Sequence, residues 1–311
     1  MKMQKIVAFI PNLFTLGNLF CGCLGIIYAF NNRLDAAFYM VLLAAFLDFF
    51  DGFFARLLNV SGELGKQLDS LADAVSFGVL PAIVMFLFLN FMIDINGITC
   101  EADNSFWSKG ELLEQAKPAT NCLFSFDPVN YHPLSFVALL IALFSIYRLA
   151  KFNIDTRQSH GFIGLPTPAN ALFFCSYVFL FFYSIDETQL NLYFHPPLEG
   201  WTIYPPLSAI PGPMDYLYSS TIFHNSDLLK LIYHPILILS LCIIFSLLLV
   251  SPIPLFALKF KNFGWNDNKI RYIFLVLAIG LLIVFQLVAI PFIVILYILI
   301  SIINNIFKIT V

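Results

Sequence analysis

Apolar runs of roughly 16 to 24 residues, separated by short polar breaks, recur along almost the whole chain. They fall near residues 15–30, 36–57, 71–93, 134–152, 168–185, 230–251, 271–288 and 290–306. Runs of this length mark candidate membrane spans. The last two are separated only by Ala289 and its neighbours before Pro291, so one long kinked or re-entrant segment is the alternative there. The pattern predicts an all-α, polytopic membrane helix bundle.

Two polar stretches interrupt the rhythm. Residues 94–132 carry six acids and two lysines, while 187–228 contain six prolines and no Lys or Arg. Proline at that density rules out a long helix and predicts an irregular cap at the membrane surface. The first 14 residues, MKMQKIVAFIPNLF, have the basic start of a signal peptide, but Pro11 and Asn12 interrupt the apolar part early and no small-residue cleavage site follows. They read as a short amphipathic helix along the interface.

Composition agrees with the pattern. Of 311 residues, 60% are hydrophobic and 11% charged, and mean hydropathy is +0.86. A net charge of −3 with no basic tract argues against a nucleic-acid partner. With eight spans and both ends inside, 12 basic residues fall on the inner side and 4 on the outer, as the positive-inside rule requires of a cytoplasmic face. Cys21, Cys23, Cys175 and Cys242 lie in apolar spans and are expected to pack there. Cys100 and Cys122 share the first insertion, where an oxidising compartment would allow a disulfide.

One stretch departs from this economy of charge. Leu47 to Ala82 holds Asp48, Asp51, Asp69 and Asp73 inside or beside apolar runs. A carboxylate in a membrane helix is costly and usually marks a site. Asp48 and Asp51 lie about 60° apart on one helix, and Asp69 and Asp73 about 40° apart on the next. If the two pairs converge, they repel unless protons or cations intervene. An all-oxygen donor set suits Mg2+ or Mn2+.

The spacing runs Asp48-x2-Asp51-Gly52-x2-Ala55-Arg56-x8-Gly65-x3-Asp69-x3-Asp73, eight fixed positions over 26 residues. It resembles, at every position, the signature of the CDP-alcohol phosphotransferases, membrane enzymes that replace CMP with an alcohol. The stretch Ile10 to Asn18, IPNLFTLGN, is similar to the start of that family's fold. The resemblance covers about residues 8 to 185 and implies a catalytic six-helix core over 15–185. Residues 230–308 would then add about two C-terminal spans that complete the bundle. By the same resemblance Asp48, Asp51, Asp69 and Asp73 hold metal, with Asp73 as ligand, general base or both. Asn12, Thr15, Gly52, Arg56 and Gly65 would bind CDP-diacylglycerol.

Downstream, YRLAKFN (147–153) and FIGLPTPAN (162–170) resemble the phosphatidylserine synthase branch. Arg148, Lys151 and Asn153 are then expected to bind L-serine, with Arg148 and Lys151 together clamping its carboxylate. Glycerol 3-phosphate or inositol phosphate as acceptor is the rival within the family. A cation-coupled transporter is the rival of another class, although no internal repeat is visible. No phosphate-binding Gly-rich loop, zinc-protease helix or nucleophile elbow occurs, and no His-x-Lys pair of the phospholipase D type. The resemblance further implies an integral protein of a bacterial inner membrane, its site facing the cytoplasm, in contact with membrane lipids and open to homodimerisation.

Overall fold

Along the first apolar run, small and polar residues recur at Pro11, Thr15, Asn18, Gly22, Gly25 and Ala29, alternately four and three apart. That spacing gathers them into one stripe of a helix. The helix, α1 (Phe9–Phe30), buries the stripe and turns Phe9, Leu13, Phe20 and Ile27 outward. Its partner α2 (Leu34–Leu57) offers Leu34, Ala37, Phe38, Val41, Ala44 and Asp51. A tight turn joins them, with Asn32 at φ 62°, a left-handed conformation that asparagine tolerates, and an Arg33–Asp35 ion pair at 3.0 Å. In this computed structural model, the described residues are 9–58, 60, 62–95, 131–154, 162–184, 231–256 and 264–307.

The third rod begins earlier than its apolar run. Helix α3 (Glu63–Asp73) leads through a π-helical segment, Ala74–Val79, into α4 (Leu80–Ile95). A 3-10 turn, Pro133–Leu139, opens α5 (Leu140–Ile154). Then follow α6 (Thr167–Ser184), α7 (Pro235–Val250), α8 (Trp265–Phe285) and α9 (Ile290–Phe307). The same tripeptide, Tyr-His-Pro, starts the α5 and α7 rods. His132 and His234 each accept a hydrogen bond from the backbone N–H two residues on, at 3.3 Å, and proline occupies the first helical position.

Helices α4 and α6 form the centre. Phe88, Leu89, Phe174, Cys175 and Val178 are wholly buried, and Phe173 stacks on Phe245 of α7 with centroids 4.0 Å apart. The surrounding helices are apolar on their outer faces as well, as at Phe46, Phe49, Leu143, Val276 and Ile283. Water does not tolerate so continuous an apolar surface, and lipid does. Among the described residues, five helical stretches are long and apolar enough to cross a membrane, and α6 and α7 are shorter apolar helices.

The last of those five stretches is two helices. Phe274 and Tyr297 are 23 residues apart, yet their rings lie 5.8 Å apart. A continuous helix would separate them by about 34 Å. The chain reverses at Gln286, φ 50°, and a 3-10 turn, Gln286–Ala289, starts the return. The question left open at Pro291 resolves as a helical hairpin, and eight helical rods among the described residues correspond to the eight expected spans.

The C-terminal helices are joined to the core beside the FIGLP stretch. Strand β1 (Phe162–Ile163) pairs antiparallel with β2 (Pro254–Leu255), and Gly164 and Leu165 donate to the carbonyls of Ile253 and Leu248 at 3.0 Å. Gly164 has φ 77°, and a Cβ there would lie 2.5 Å from the Leu249 carbonyl oxygen, so glycine is required.

Two expectations change. Residues 9–14, assigned to an interfacial helix, run without a break into the first span. Cys23 is exposed, while Cys21, Cys175 and Cys242 are buried as expected. Two residues along a helix is about a 200° rotation, so Cys21 and Cys23 cannot share the packed face. Residues 1–8, most of the first insertion with Cys100 and Cys122, and the Pro-rich stretch 187–228 lie outside the described residues.

Candidate active site

Helix α3 is amphipathic in an inverted sense. Leu64 and Leu71 are 75% and 65% exposed, whereas Ala72 is buried and Gly65, Asp69 and Asp73 turn towards the other helices. This suits a helix with lipid outside and a polar site inside. The π segment that follows adds a residue to the turn, a distortion common at functional sites. Its Ser76 donates to the Asn18 carbonyl of α1 at 2.9 Å. Gly22 permits that approach, since a Cβ there would lie 2.5 Å from Ser76 Oγ and 3.0 Å from its Cα. On the other side, a Cβ at Gly78 would meet Ser145 of α5 at 3.3 Å.

With α1 and α3 docked in this way, the carboxylates meet. Asp48, Asp51 and Asp69 each bring an oxygen within 4.8 Å of the others. Asp73 adds a fourth carboxylate beside that trio, its side chain in contact with Asp48 and within electrostatic reach of Asp69. Two α1 side chains hold the cluster. Thr15 Oγ1 donates to Asp51 Oδ2 at 2.8 Å, and Asn18 Nδ2 donates to Asp73 Oδ1 at 3.1 Å. Thr15 Oγ1 is also 3.2 Å from the Pro11 carbonyl, but it has one proton, and the shorter, charge-assisted contact takes it. The hydroxyl expected to face a nucleotide is thus engaged by an aspartate.

These donors fit a hard divalent cation. Three carboxylates converge without a nitrogen or sulfur ligand among them, and Asp69 Oδ1 is buried with no hydrogen-bond partner. Close like charges of this kind favour a bound cation.

The remaining expected residues divide. Asn12 adjoins α3, since a Cβ at Gly65 would lie 3.3 Å from Asn12 Oδ1. Gly52 is different, because its Cβ would meet only Arg56 Nη2, at 4.0 Å. Arg56 is exposed and donates through Nε to the Gly52 carbonyl at 2.9 Å, which fixes its direction along α2. Arg148 is buried, within electrostatic reach of Asp73 and of Tyr297 from α9. Lys151 is exposed and does not join it. A spacing of three turns a side chain by about 60°, enough to move it from the packed face to the rim. Asn153 donates to Ser70 Oγ at 2.8 Å, and its carbonyl accepts from Lys66 at 3.3 Å, so it ties α5 to α3.

Sequence reasoning missed Asn18, Ser70 and Ser76 as members of this arrangement. Asn18 had a signal, because it follows Thr15 by three residues on the same face of an otherwise apolar helix.

A polytopic helix bundle with a carboxylate cluster near one end of its helices defines a membrane protein with an acidic polar site. Comparison identifies which one. A family model described as CDP-alcohol phosphatidyltransferase matches residues 8–101. The chain is 30% identical over 160 residues to a CDP-diacylglycerol–serine O-phosphatidyltransferase of Bacillus subtilis, covering 51% of this chain and 70% of that one. It is 30% identical over 164 residues to the enzyme of that name from Helicobacter pylori, covering 52% of this chain and 54% of the other. An archaetidylserine synthase of Methanothermobacter thermautotrophicus is 31% identical over 189 residues, covering 59% and 64%. This chain belongs to the CDP-alcohol phosphatidyltransferase family.

Proposed function

We propose that the chain transfers a phosphatidyl group from CDP-diacylglycerol to L-serine, giving phosphatidylserine and CMP. The observation that carries this reading is the convergence of Asp48, Asp51 and Asp69 beside an Asp73 that also accepts a hydrogen bond from Asn18. The names of the relatives, two with serine as acceptor and one an archaetidylserine synthase, support the choice of alcohol.

Asp48, Asp51 and Asp69 would hold Mg2+ or Mn2+. Bound there, the cation would offset the charge of the diphosphate and stabilise the oxygen that leaves with CMP. Arg56, directed by the Gly52 carbonyl, pairs with a diphosphate oxygen through its outer nitrogens. Gly52 leaves room for that diphosphate, and Asn12 and the edge of α3 at Gly65 border the nucleotide. The serine hydroxyl oxygen bonds to the lipid-side phosphorus, and the bond from that phosphorus to the CMP oxygen breaks. CMP leaves with the electron pair, and the hydroxyl proton passes to Asp73. Arg148 receives the serine carboxylate.

The excess of basic residues on one side of the spans supports a site at the cytoplasmic face of the inner membrane. Lipid tails would enter between helices from the bilayer, and a homodimer belongs to the proposal by analogy with the family. The test is CMP release by the full chain in detergent, with CDP-diacylglycerol and Mg2+ or Mn2+, comparing L-serine, glycerol 3-phosphate, inositol phosphate and no acceptor. Release with serine alone, abolished by chelator, is expected. Release with another alcohol reassigns the acceptor pocket, and cation-independent release removes the metal role.

A further inference from the structure

The C-terminal helices lie outside the stretch that the family model matches, yet one of them reaches the acceptor side of the site. Tyr297 of α9 is 8% exposed and packs edge-on against the rings of Phe256 and Phe274, with centroids 5.0 and 5.8 Å away. Its hydroxyl donates to the Phe256 carbonyl at 3.0 Å. The same side chain lies within electrostatic reach of Arg148 on α5. Arg148 is equally buried, and its Nε has no hydrogen-bond partner among the described residues. A buried donor of that kind calls for a partner that the protein itself does not supply.

Phe256 is held in place by the FIGLP stretch. It directly follows β2, which pairs with β1, and Gly164 and Leu165 donate to the carbonyls of Ile253 and Leu248. Ile298, next to Tyr297, lines a small cavity with Leu165, Leu248 and Leu255, so α9 is seated on the same clasp. The clasp therefore fixes the carbonyl that takes the Tyr297 proton. A phenol has one proton, and its oxygen also accepts. With the proton committed, Tyr297 Oη is left to accept, whereas a guanidinium can only donate.

An acceptor beside a donor of this kind suits a zwitterion. We infer that Tyr297 is a specificity-determining residue of the acceptor pocket, taking a hydrogen bond from the ammonium of L-serine while Arg148 binds its carboxylate. The two ionic groups of an α-amino acid sit on one carbon, so their protein partners must be neighbours. Glycerol 3-phosphate and inositol phosphate carry no ammonium and forgo the charge-assisted bond to Tyr297. A site that hydrogen-bonds one group of its substrate discriminates against analogues lacking that group. The C-terminal hairpin thus contributes to the choice of alcohol as well as to packing, and FIGLP acts through the Phe256 carbonyl.

The inference rests on the transfer reading, and its experiment separates the two. Serine-dependent CMP release by the wild-type chain tests the reading alone. Tyr297→Phe in the full chain, which keeps the ring and removes the hydroxyl, tests the inference. Tyr297→Leu repeats the measurement if phenylalanine gives no folded protein. The expected result is a KM for serine higher by about tenfold or more, the scale of a lost hydrogen bond to a charged group. KM for CDP-diacylglycerol and kcat stay at the wild-type values. The second probe is 3-hydroxypropionate, which is serine without its ammonium. It is followed as an acceptor or, where it does not turn over, as a competitive inhibitor of serine. Its constant should be the same for wild type and Tyr297→Phe, so the preference for serine over it narrows. A merely structural role would weaken both compounds equally or lower kcat. An unchanged KM for serine overturns the inference. An equal loss for 3-hydroxypropionate also overturns it, and would mean that Tyr297 serves the carboxylate through Arg148.

Discussion

Thr15 on α1 donates its hydroxyl proton to Asp51 on α2 across 2.8 Å, in a buried contact between residues 36 apart in sequence. It links α1 directly to the carboxylate trio that we assign to metal. Groups that hydrogen-bond a metal ligand fix its direction, and removing one lowers metal affinity by about 10- to 100-fold.

Thr15→Val should therefore raise the half-activating concentration of Mg2+ or Mn2+ by about tenfold or more. Because the chemistry is untouched, kcat at saturating metal should recover. Valine matches the shape of threonine, so packing between the helices is preserved, and Thr15→Ser should behave as the wild type. The check is a titration of CMP release against metal. A wild-type curve for Thr15→Val would mean that Asp51 is not a ligand.

Two glycines of the core should respond oppositely to alanine. At Gly22 the added methyl meets Ser76 at both Oγ and Cα, and backbone cannot yield as a flexible side chain does. Gly22→Ala should destabilise the protein by about 1–3 kcal/mol, the usual cost of overpacking, read as a lower melting temperature in detergent. At Gly52 the methyl meets only the end of Arg56, and alanine favours helix. Gly52→Ala should melt no lower than wild type while raising KM for CDP-diacylglycerol, because the space it fills is the one we assign to the diphosphate. A Gly52→Ala protein with normal KM would remove that assignment.

The features of this site that were legible in sequence are those written in local spacing. Asp48 with Asp51, and Asp69 with Asp73, share helix faces by arithmetic alone, and each apolar run announced its helix by length. What stayed hidden depends on how one helix is rotated and shifted against another. Nothing local says that Asn18 will lie level with Asp73, a contact between residues 55 apart. The reversal at Gln286 was hidden for a related reason. The residues around it are as apolar as the spans, and a helix break is normally announced by polar or turn-forming residues. Cys23 was misplaced because apolar composition, without a choice of face, cannot separate a lipid-facing residue from a packed one.

Arg148 and Lys151 carry the sharpest remaining contrast. Both are basic residues near the end of one span, and hydropathy gives them the same role as interfacial anchors. In the structure Arg148 is only 9% exposed and lies within electrostatic reach of Asp73, while Lys151 is exposed. The Nε of Arg148 has no hydrogen-bond partner. A buried guanidinium with an unused donor beside the proposed base is placed to bind the carboxylate of the acceptor. Arg148→Met, which keeps an unbranched apolar stem, should raise KM for serine by about tenfold or more, the scale of a lost charge-assisted hydrogen bond. KM for CDP-diacylglycerol should change much less, and Lys151→Ala should leave both values unchanged. Steady-state CMP release with each substrate varied in turn decides the matter. If Arg148→Met lowers kcat and leaves KM for serine alone, Arg148 serves Asp73 and not the acceptor, and the carboxylate must be bound elsewhere.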